Sequence, residues 1–307
     1  MGAGGQGGLF GSLFVQAGHD VIFIARGRNL EAMQDYGLTL KSKIYKDTTV
    51  PVNATDQPKD VGKVDLVFFS VKTYDLDEAV DQIKPLIGPE TIILTIQNGV
   101  EAPYRIGKVI GLEHVLAGVS YTNAHLVAPG VVNHLGGSRL MFGELSGGIS
   151  PRVKTLKRVL IGTGLEAVPS DNIKGRLWRK LSTLCGLHGV LCLTRLSIGM
   201  VREFKETWEL MRMVMLEATS VARAEGVIIT EDEVDAALES ISKLPPGVTP
   251  SMLVDLEAGR RIELETFNGA VVRFGKKHGI DTPYNHAIYS ALKPYENGTP
   301  TLQTYSK

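Results

Sequence analysis

The chain has 307 residues, room for about two domains at roughly 150 residues each. Hydrophobic residues make up 43% and charged residues 21%, so it can bury a core and is not disordered by composition. Lys plus Arg and Asp plus Glu each total 33, and the resulting net charge of zero argues against nucleic acid as a partner, because its binders carry a surplus of positive charge.

In chain order, glycine-rich Gly2 to Gly7 leads into Leu9, Phe10, Leu13 and Phe14 at helical spacing, with Gly18 as a stop. Val21 to Ala25 reads as a buried strand, Leu30 to Tyr36 as a helix, and Gly37 to Val50 as a hairpin with a period of two. Val64 to Val71 is a second buried strand. It is the strongest apolar run, far below the ~18 residues that span a bilayer, so no membrane partner is expected. A helix carrying Leu76, Ala79, Val80 and Ile83 follows, then strands at Thr91 to Ile96 and Val115 to Ser120. Strands separated by helices imply βαβ units and a mainly parallel sheet. Pro129-Gly130 and Gly136-Gly137 bracket Val131 to His134 in an antiparallel hairpin.

Around Val168-Pro169-Ser170 the pattern turns helical and stays so. Cys185 and Cys192 fall in a helical stretch, too few and too close for a disulfide framework. Thr230-Glu231-Asp232-Glu233 is a capping box that starts a helix at 230. Pro245-Pro246-Gly247 breaks the chain ahead of a helix at Ser251, and Thr282-Pro283 opens a last one. With no basic-then-apolar leader, a cytoplasmic protein is expected, and no metal site. The expected fold class is α/β: a doubly wound Rossmann-type N-terminal domain over residues 1–170, followed by an all-helical domain over 171–307.

Gly2-Ala3-Gly4-Gly5-Gln6-Gly7 fits G-x-G-x-x-G ahead of a helix and a strand. The first glycine allows a tight turn, the second lets backbone approach a pyrophosphate, and the third allows close helix packing. The diphosphate then rests on N–H groups at the helix start. A flexible glycine-rich tail is the plainer alternative, and the helix-then-strand context disfavours it. Such a motif normally follows a central strand, yet only Met1 precedes it. The chain is therefore expected to begin one strand late, since that strand's neighbours would otherwise lose backbone partners; a chain complete as written would put cofactor binding in question. The strand at 21–25 ends in Ala25-Arg26-Gly27-Arg28, without the acid that accepts a ribose 2′-OH. Arg26 suits a 2′-phosphate instead, so NADP(H) is the expected cofactor; a solvated loop arginine is the alternative.

Further along come Ser70-Val71-Lys72-Thr73-Tyr74, Ile96-Gln97-Asn98-Gly99-Val100, Leu177-Trp178-Arg179-Lys180, Pro250-Ser251-Met252-Leu253, Gly259-Arg260-Arg261-Ile262-Glu263, Asn268-Gly269 and His278-Gly279-Ile280. In this order, over essentially the whole chain, they resemble the ketopantoate reductase family (2-dehydropantoate 2-reductases). The resemblance implies NADPH and a small 2-oxo acid meeting between a Rossmann domain and a helical domain. It implies that Lys72 lies near the adenosine 2′-phosphate, and that Asn98 and Ala124, the latter through backbone only, contact the cofactor.

Lys180 matches the family's catalytic lysine, whose ammonium stabilises charge developing on the substrate oxygen and supplies the proton. Burial in a cleft lowers such an amine toward neutrality. Glu263 matches a glutamate at the junction of cofactor and substrate, and Ser251 a serine that binds the substrate carboxylate. Each has a plainer reading from its local sequence: a strand-end lysine for Lys72, a turn asparagine for Asn98, a solvated helix lysine for Lys180, an exposed charge pattern for Glu263 and a helix N-cap for Ser251.

Four asparagines of the family pattern are replaced, by Leu184, His188, Ile198 and Val248. His188 is the candidate to take over substrate binding, with a core histidine as the alternative. The expected activity is NADPH-dependent reduction of a small 2-oxo acid, ketopantoate to pantoate being favoured, with a homodimer left open. A different, less polar oxo acid is one alternative, and a non-catalytic NADP-binding sensor another.

Overall fold

The computed structural model describes residues 1–300. They form two compact units: residues 1–97 with 101–174, and residues 98–100 with the chain from Gly175 onward.

The first unit contains α1 (Gly5–Gln16), β1 (Ile22–Ile24), α2 (Gly27–Tyr36), β2 (Leu38–Ser42), β3 (Thr48–Val50), β4 (Asn53–Thr55), β5 (Leu66–Phe69), α3 (Leu76–Ile83), β6 (Ile92–Thr95), α4 (Ala102–Ile110), β7 (Val115–Ala128), β8 (Val131–Gly143), α5 (Pro151–Gly162) and β9 (Glu166–Pro169). Seven strands form one sheet in the order β3-β2-β8-β7-β6-β5, with β9 also on β8; β1 and β4 pair separately in parallel.

The sheet is mainly parallel, as the alternation of strands and helices implies, with two antiparallel pairs. The β5/β6, β6/β7, β2/β8 and β8/β9 pairs are parallel, and β2/β3 and β7/β8 antiparallel. The β7–β8 hairpin turns at Pro129-Gly130, but Gly136-Gly137 lies within β8 instead of closing a short loop. A side chain at Gly137 would run into the Tyr121 carbonyl, and the pairing shifts register between Tyr121 and Asn123, so these glycines mark a bulge.

Helices cover both faces because the strands are apolar on both sides. On one face Leu9, Phe10, Leu13 and Phe14 of α1 pack with Leu38, Leu116 and Leu140 of the sheet and Leu156 of α5. On the other, Leu76, Val80 and Ile83 of α3 and Ile106 of α4 pack with Val67, Phe69 and Ile93. Burying a side chain of this size contributes roughly 1.5–3 kcal/mol.

The second unit is helical: α6 (Ile173–Thr194), α7 (Ile198–Glu203), α8 (Lys205–Ala224), α9 (Glu231–Ser242), α10 (Ser251–Glu257), α11 (Asn268–His278) and α12 (Pro283–Leu292). Thr230 caps α9 with the reciprocal Glu233 bonds of a capping box. Buried Asn268 donates to the Cys185 carbonyl (3.3 Å) and to Asn285 Oδ1 (2.9 Å). Glu217 in turn accepts from the Tyr284 and Asn285 N–H groups and from Asn285 Nδ2, which satisfies the start of α12. Among the described residues no helix is long and apolar enough to cross a membrane, and no cluster of three or more His, Cys, Asp or Glu is arranged to hold a metal.

Candidate active site

In the first unit the glycine loop is built as its sequence dictates. Gly2 has φ +89°, and a side chain there would sit 2.8 Å from the Val71 nitrogen. A side chain at Gly7 would run into the Gly2 carbonyl and stand 2.5 Å from Ser70 Oγ, which donates to that same carbonyl (3.0 Å). Gly4 differs. It is the N-cap of α1, it supplies no side-chain cap, and nothing lies within 4 Å of where its Cβ would stand. The first turn carries no acid, so its N–H groups and the positive end of the helix are available to an anion. These features fit a diphosphate.

The remaining loop residues are held from the sides. Ala3 N–H donates to the Ile24 carbonyl (3.3 Å), and its own carbonyl accepts from Asn29 Nδ2 (2.9 Å). Gln6 donates to the Thr122 carbonyl (3.0 Å) and accepts from Ser120 Oγ (3.1 Å), so its side chain ties α1 to β7. Gly5 packs on the Ala124 backbone so closely that any side chain would meet the Ala124 carbonyl. Ala124 itself is buried and pairs with His134.

Arg26 follows β1 and caps α2 with extended backbone. Its guanidinium, 72% exposed, contacts Asp75 at 2.7 Å. The Asp75 N–H donates to the Lys72 carbonyl (2.9 Å), so one short turn links the residues carrying both predicted phosphate-binding cations. Asp75 was not singled out in the sequence, where an acid three residues after a strand-end lysine carries no pattern of its own. Buried Gln97 donates to the Val71 carbonyl (3.0 Å), and this fixes the start of the turn that carries Asn98.

In the second unit, Lys180, Leu184 and His188 stand at positions i, i+4 and i+8 of α6, one stripe along about 12 Å of helix. Desolvation pulls the Lys180 amine from its ordinary 10.5 to about 8, and the carboxylate of Glu263 acts in the opposite direction. Glu263 is buried. Four residues beyond it Phe267 packs against the His188 ring, with centroids 4.5 Å apart. The 263–267 segment thus runs beside the α6 stripe. Arg179, the neighbour of Lys180, turns to Glu233 instead (2.6 Å). Ser251 is not an N-cap: Pro250 holds that position, and Ser251 is the first residue of α10, where no side-chain cap forms. Burial pushes both cysteine thiols well above their usual range, so they act as small apolar groups.

Residues 1–147 match the family model for ketopantoate reductase PanE/ApbA, and residues 172–296 the model for its C-terminal part. The chain belongs to the ketopantoate reductase family. It is 32% identical over 300 residues to a 2-dehydropantoate 2-reductase of Archaeoglobus fulgidus, covering 97% of both chains. The crystal structure of a PanE/ApbA family ketopantoate reductase from Ralstonia eutropha JMP134 matches with a TM-score of 0.89 and 33% identity, over 96% of this chain and 97% of that one. D-mandelate dehydrogenase, solved with NADH and anilino(oxo)acetate, matches with a TM-score of 0.90 and 26% identity, over 96% of both chains.

Within this ketopantoate reductase family member, two of the replaced positions lie side by side. Ile198 N–H donates to the Val248 carbonyl (3.1 Å), and Gly199 N–H to the Pro246 carbonyl (2.9 Å). Ile198 is fully buried and Val248 partly so. Backbone hydrogen bonds therefore tie the α7 start to the 246–248 turn, with the Ile198 side chain buried beneath.

Proposed function

We propose that this chain reduces a small 2-oxo acid to the corresponding 2-hydroxy acid, with ketopantoate to pantoate as the favoured reaction. A nicotinamide cofactor supplies the hydride when bound. The Gly2–Gly7 loop seats its diphosphate on the N-terminus of α1, and Ala124 backs that loop. Arg26 and Lys72 recognise a ribose 2′-phosphate, which makes NADPH the preferred form, and Asn98 contributes a further contact from its turn. The observation that carries the reading is the Lys180 amine, desolvated to about 8 beside the Glu263 carboxylate. At neutral pH it is still mostly protonated and yet acidic enough to give its proton to the oxygen of the reduced carbonyl. Glu263 holds the ammonium in place, and Ser251 binds the substrate carboxylate.

A second reading keeps the chemistry and changes the substrate. Leu184, Ile198 and Val248 stand where hydrogen-bonding side chains would select a hydroxylated acid, and a wall without them loses that selectivity. A bulkier, less polar 2-oxo acid suits such a wall, with His188 as the polar group left on the α6 stripe. The test is NADPH and NADH oxidation by the purified protein with ketopantoate, phenylglyoxylate and aliphatic 2-oxo acids, alongside Lys180→Ala. The reading expects turnover with ketopantoate that Lys180→Ala largely removes while NADPH affinity stays. Phenylglyoxylate turned over a hundredfold better selects the second reading. A protein that binds NADPH but turns over none of the acids is a sensor, and the reductase reading falls.

A further inference from the structure

The end of β1 carries no acid of its own, since the chain there reads Ala25-Arg26-Gly27-Arg28. Folding brings one to it. Asp75, from the turn after β5, meets the Arg26 guanidinium at 2.7 Å across 49 residues of sequence. The same turn carries Lys72, whose carbonyl accepts from the Asp75 N–H (2.9 Å). Residues carrying two cations and one carboxylate thus gather where the nucleotide reading puts the adenosine ribose.

A plainer task is open to Asp75, and it does not perform it. It is the N-cap of α3, where an aspartate ordinarily accepts from the second or third N–H of the helix. No such bond forms, and the carboxylate turns out to Arg26 instead. Nor does the pair hold the fold together. The arginine side chain is 72% exposed and the aspartate 26%, and water weakens an ion pair so placed. Its consequence is for what the guanidinium can bind. A 2′-phosphate and the Asp75 carboxylate are both anions that fit the same planar fork, so they compete for it. A 2′-OH is neutral and donates to a carboxylate, which is how dinucleotide folds that take NADH hold that hydroxyl.

We propose that Asp75 is a specificity-determining residue for the nucleotide, narrowing the preference for NADPH that Arg26 and Lys72 create and admitting NADH as well. With NADPH, Arg26 leaves Asp75 for the phosphate, and the carboxylate left beside it repels that phosphate. With NADH, Arg26 stays on Asp75 and the carboxylate accepts from the 2′-OH. The inference rests on the cofactor part of the proposed function and not on turnover, so a protein that reduces no 2-oxo acid still tests it.

The experiment is fluorescence titration of NADPH and NADH into the full chain and into Asp75→Asn, Asp75→Ala and Asp75→Glu. The parent is expected to bind the two nucleotides within about tenfold of each other. Both neutral variants are expected to tighten NADPH at least about fivefold, with a gain that shrinks as salt is raised. NADH is expected to weaken about tenfold in Asp75→Ala and less in Asp75→Asn, whose amide oxygen still accepts. Asp75→Glu restores the charge and is expected to return NADPH affinity toward the parent's. Thermal midpoints without nucleotide are expected to agree within about 2 °C, because the pair is exposed. A structural role alone would move both nucleotides in the same direction, and that result overturns the proposal. So does an unchanged NADPH affinity, or a weaker one in Asp75→Asn, which would make Asp75 only a support for Arg26. A parent that binds neither nucleotide removes the cofactor reading and this inference together.

Discussion

Gly4→Ala and Gly7→Ala separate holding a nucleotide from holding the fold. At Gly4 the backbone is extended (φ −81°, ψ −156°), which alanine adopts freely, and the new methyl meets nothing within 4 Å. Its effect on stability should stay within about 0.5 kcal/mol, or roughly 2 °C in midpoint. At Gly7 the methyl collides with the Gly2 carbonyl and with Ser70 Oγ at 2.5 Å, two groups already bonded to each other. Overpacking of that kind costs about 2 kcal/mol, or roughly 4–8 °C for a unit of this size. On the nucleotide the order reverses in meaning. The Gly4 methyl stands in the path of a diphosphate seated on α1, so the NADPH dissociation constant should rise at least tenfold, about 1.4 kcal/mol, with the fold intact. Calorimetry without nucleotide and fluorescence titration with NADPH read the two effects. A Gly4→Ala protein that binds NADPH as tightly as the parent refutes the cradle, and one that melts as early as Gly7→Ala refutes the division of roles.

With Lys180 as the proton donor, kcat/KM should fall as pH rises past about 8, and Glu263→Gln should move that limb to lower pH, because the carboxylate is what raises the amine; a limb that stays put in Glu263→Gln removes the coupling. The same amine lies below its unfolded value of 10.5, so the parent gains stability as pH climbs from about 8 to 10.5. Lys180→Met should then be more stable at pH 7, by at most about 3 kcal/mol, with the advantage shrinking above pH 10, as urea melts at the two pH values will measure. Arg26→Glu should weaken NADPH binding at least tenfold and leave NADH nearly unchanged; equal losses for both would take the 2′-phosphate away from Arg26. Thr230→Ala removes the cap of α9 and should cost about 1 kcal/mol in urea unfolding with KM unaltered.

Much of the candidate site was legible because its signals are local. The glycine loop needs only six consecutive residues, and the Gly2 turn and Gly7 packing carry out the roles their spacing suggests. The Thr230 capping box closes within four residues and forms as written. Less visible were elements too short or too polar for a period to register, such as β4 over Asn53–Thr55 and β9 over Glu166–Pro169, which exist through the partners they pair with. Strand β7 extends to Ala128 although its apolar run stops at Ser120, since β8 supplies the remaining ladder. Ser251 shows the limit of a cap read from sequence: a proline just before it took the N-cap position.

The sequence by itself determined the two-part division into an α/β half and a helical half and the glycine pattern of the loop, since periodicity and motif spacing act over a few residues, whereas Lys180 and Glu263 were singled out only through the family resemblance. Only the tertiary structure decided that Gln6 serves β7 across 116 residues of sequence and that Arg26 meets Asp75 across 49. The same is true of the Lys180 amine near 8. Each of these depends on which distant groups share a neighbourhood with little water, and no window of sequence contains that information.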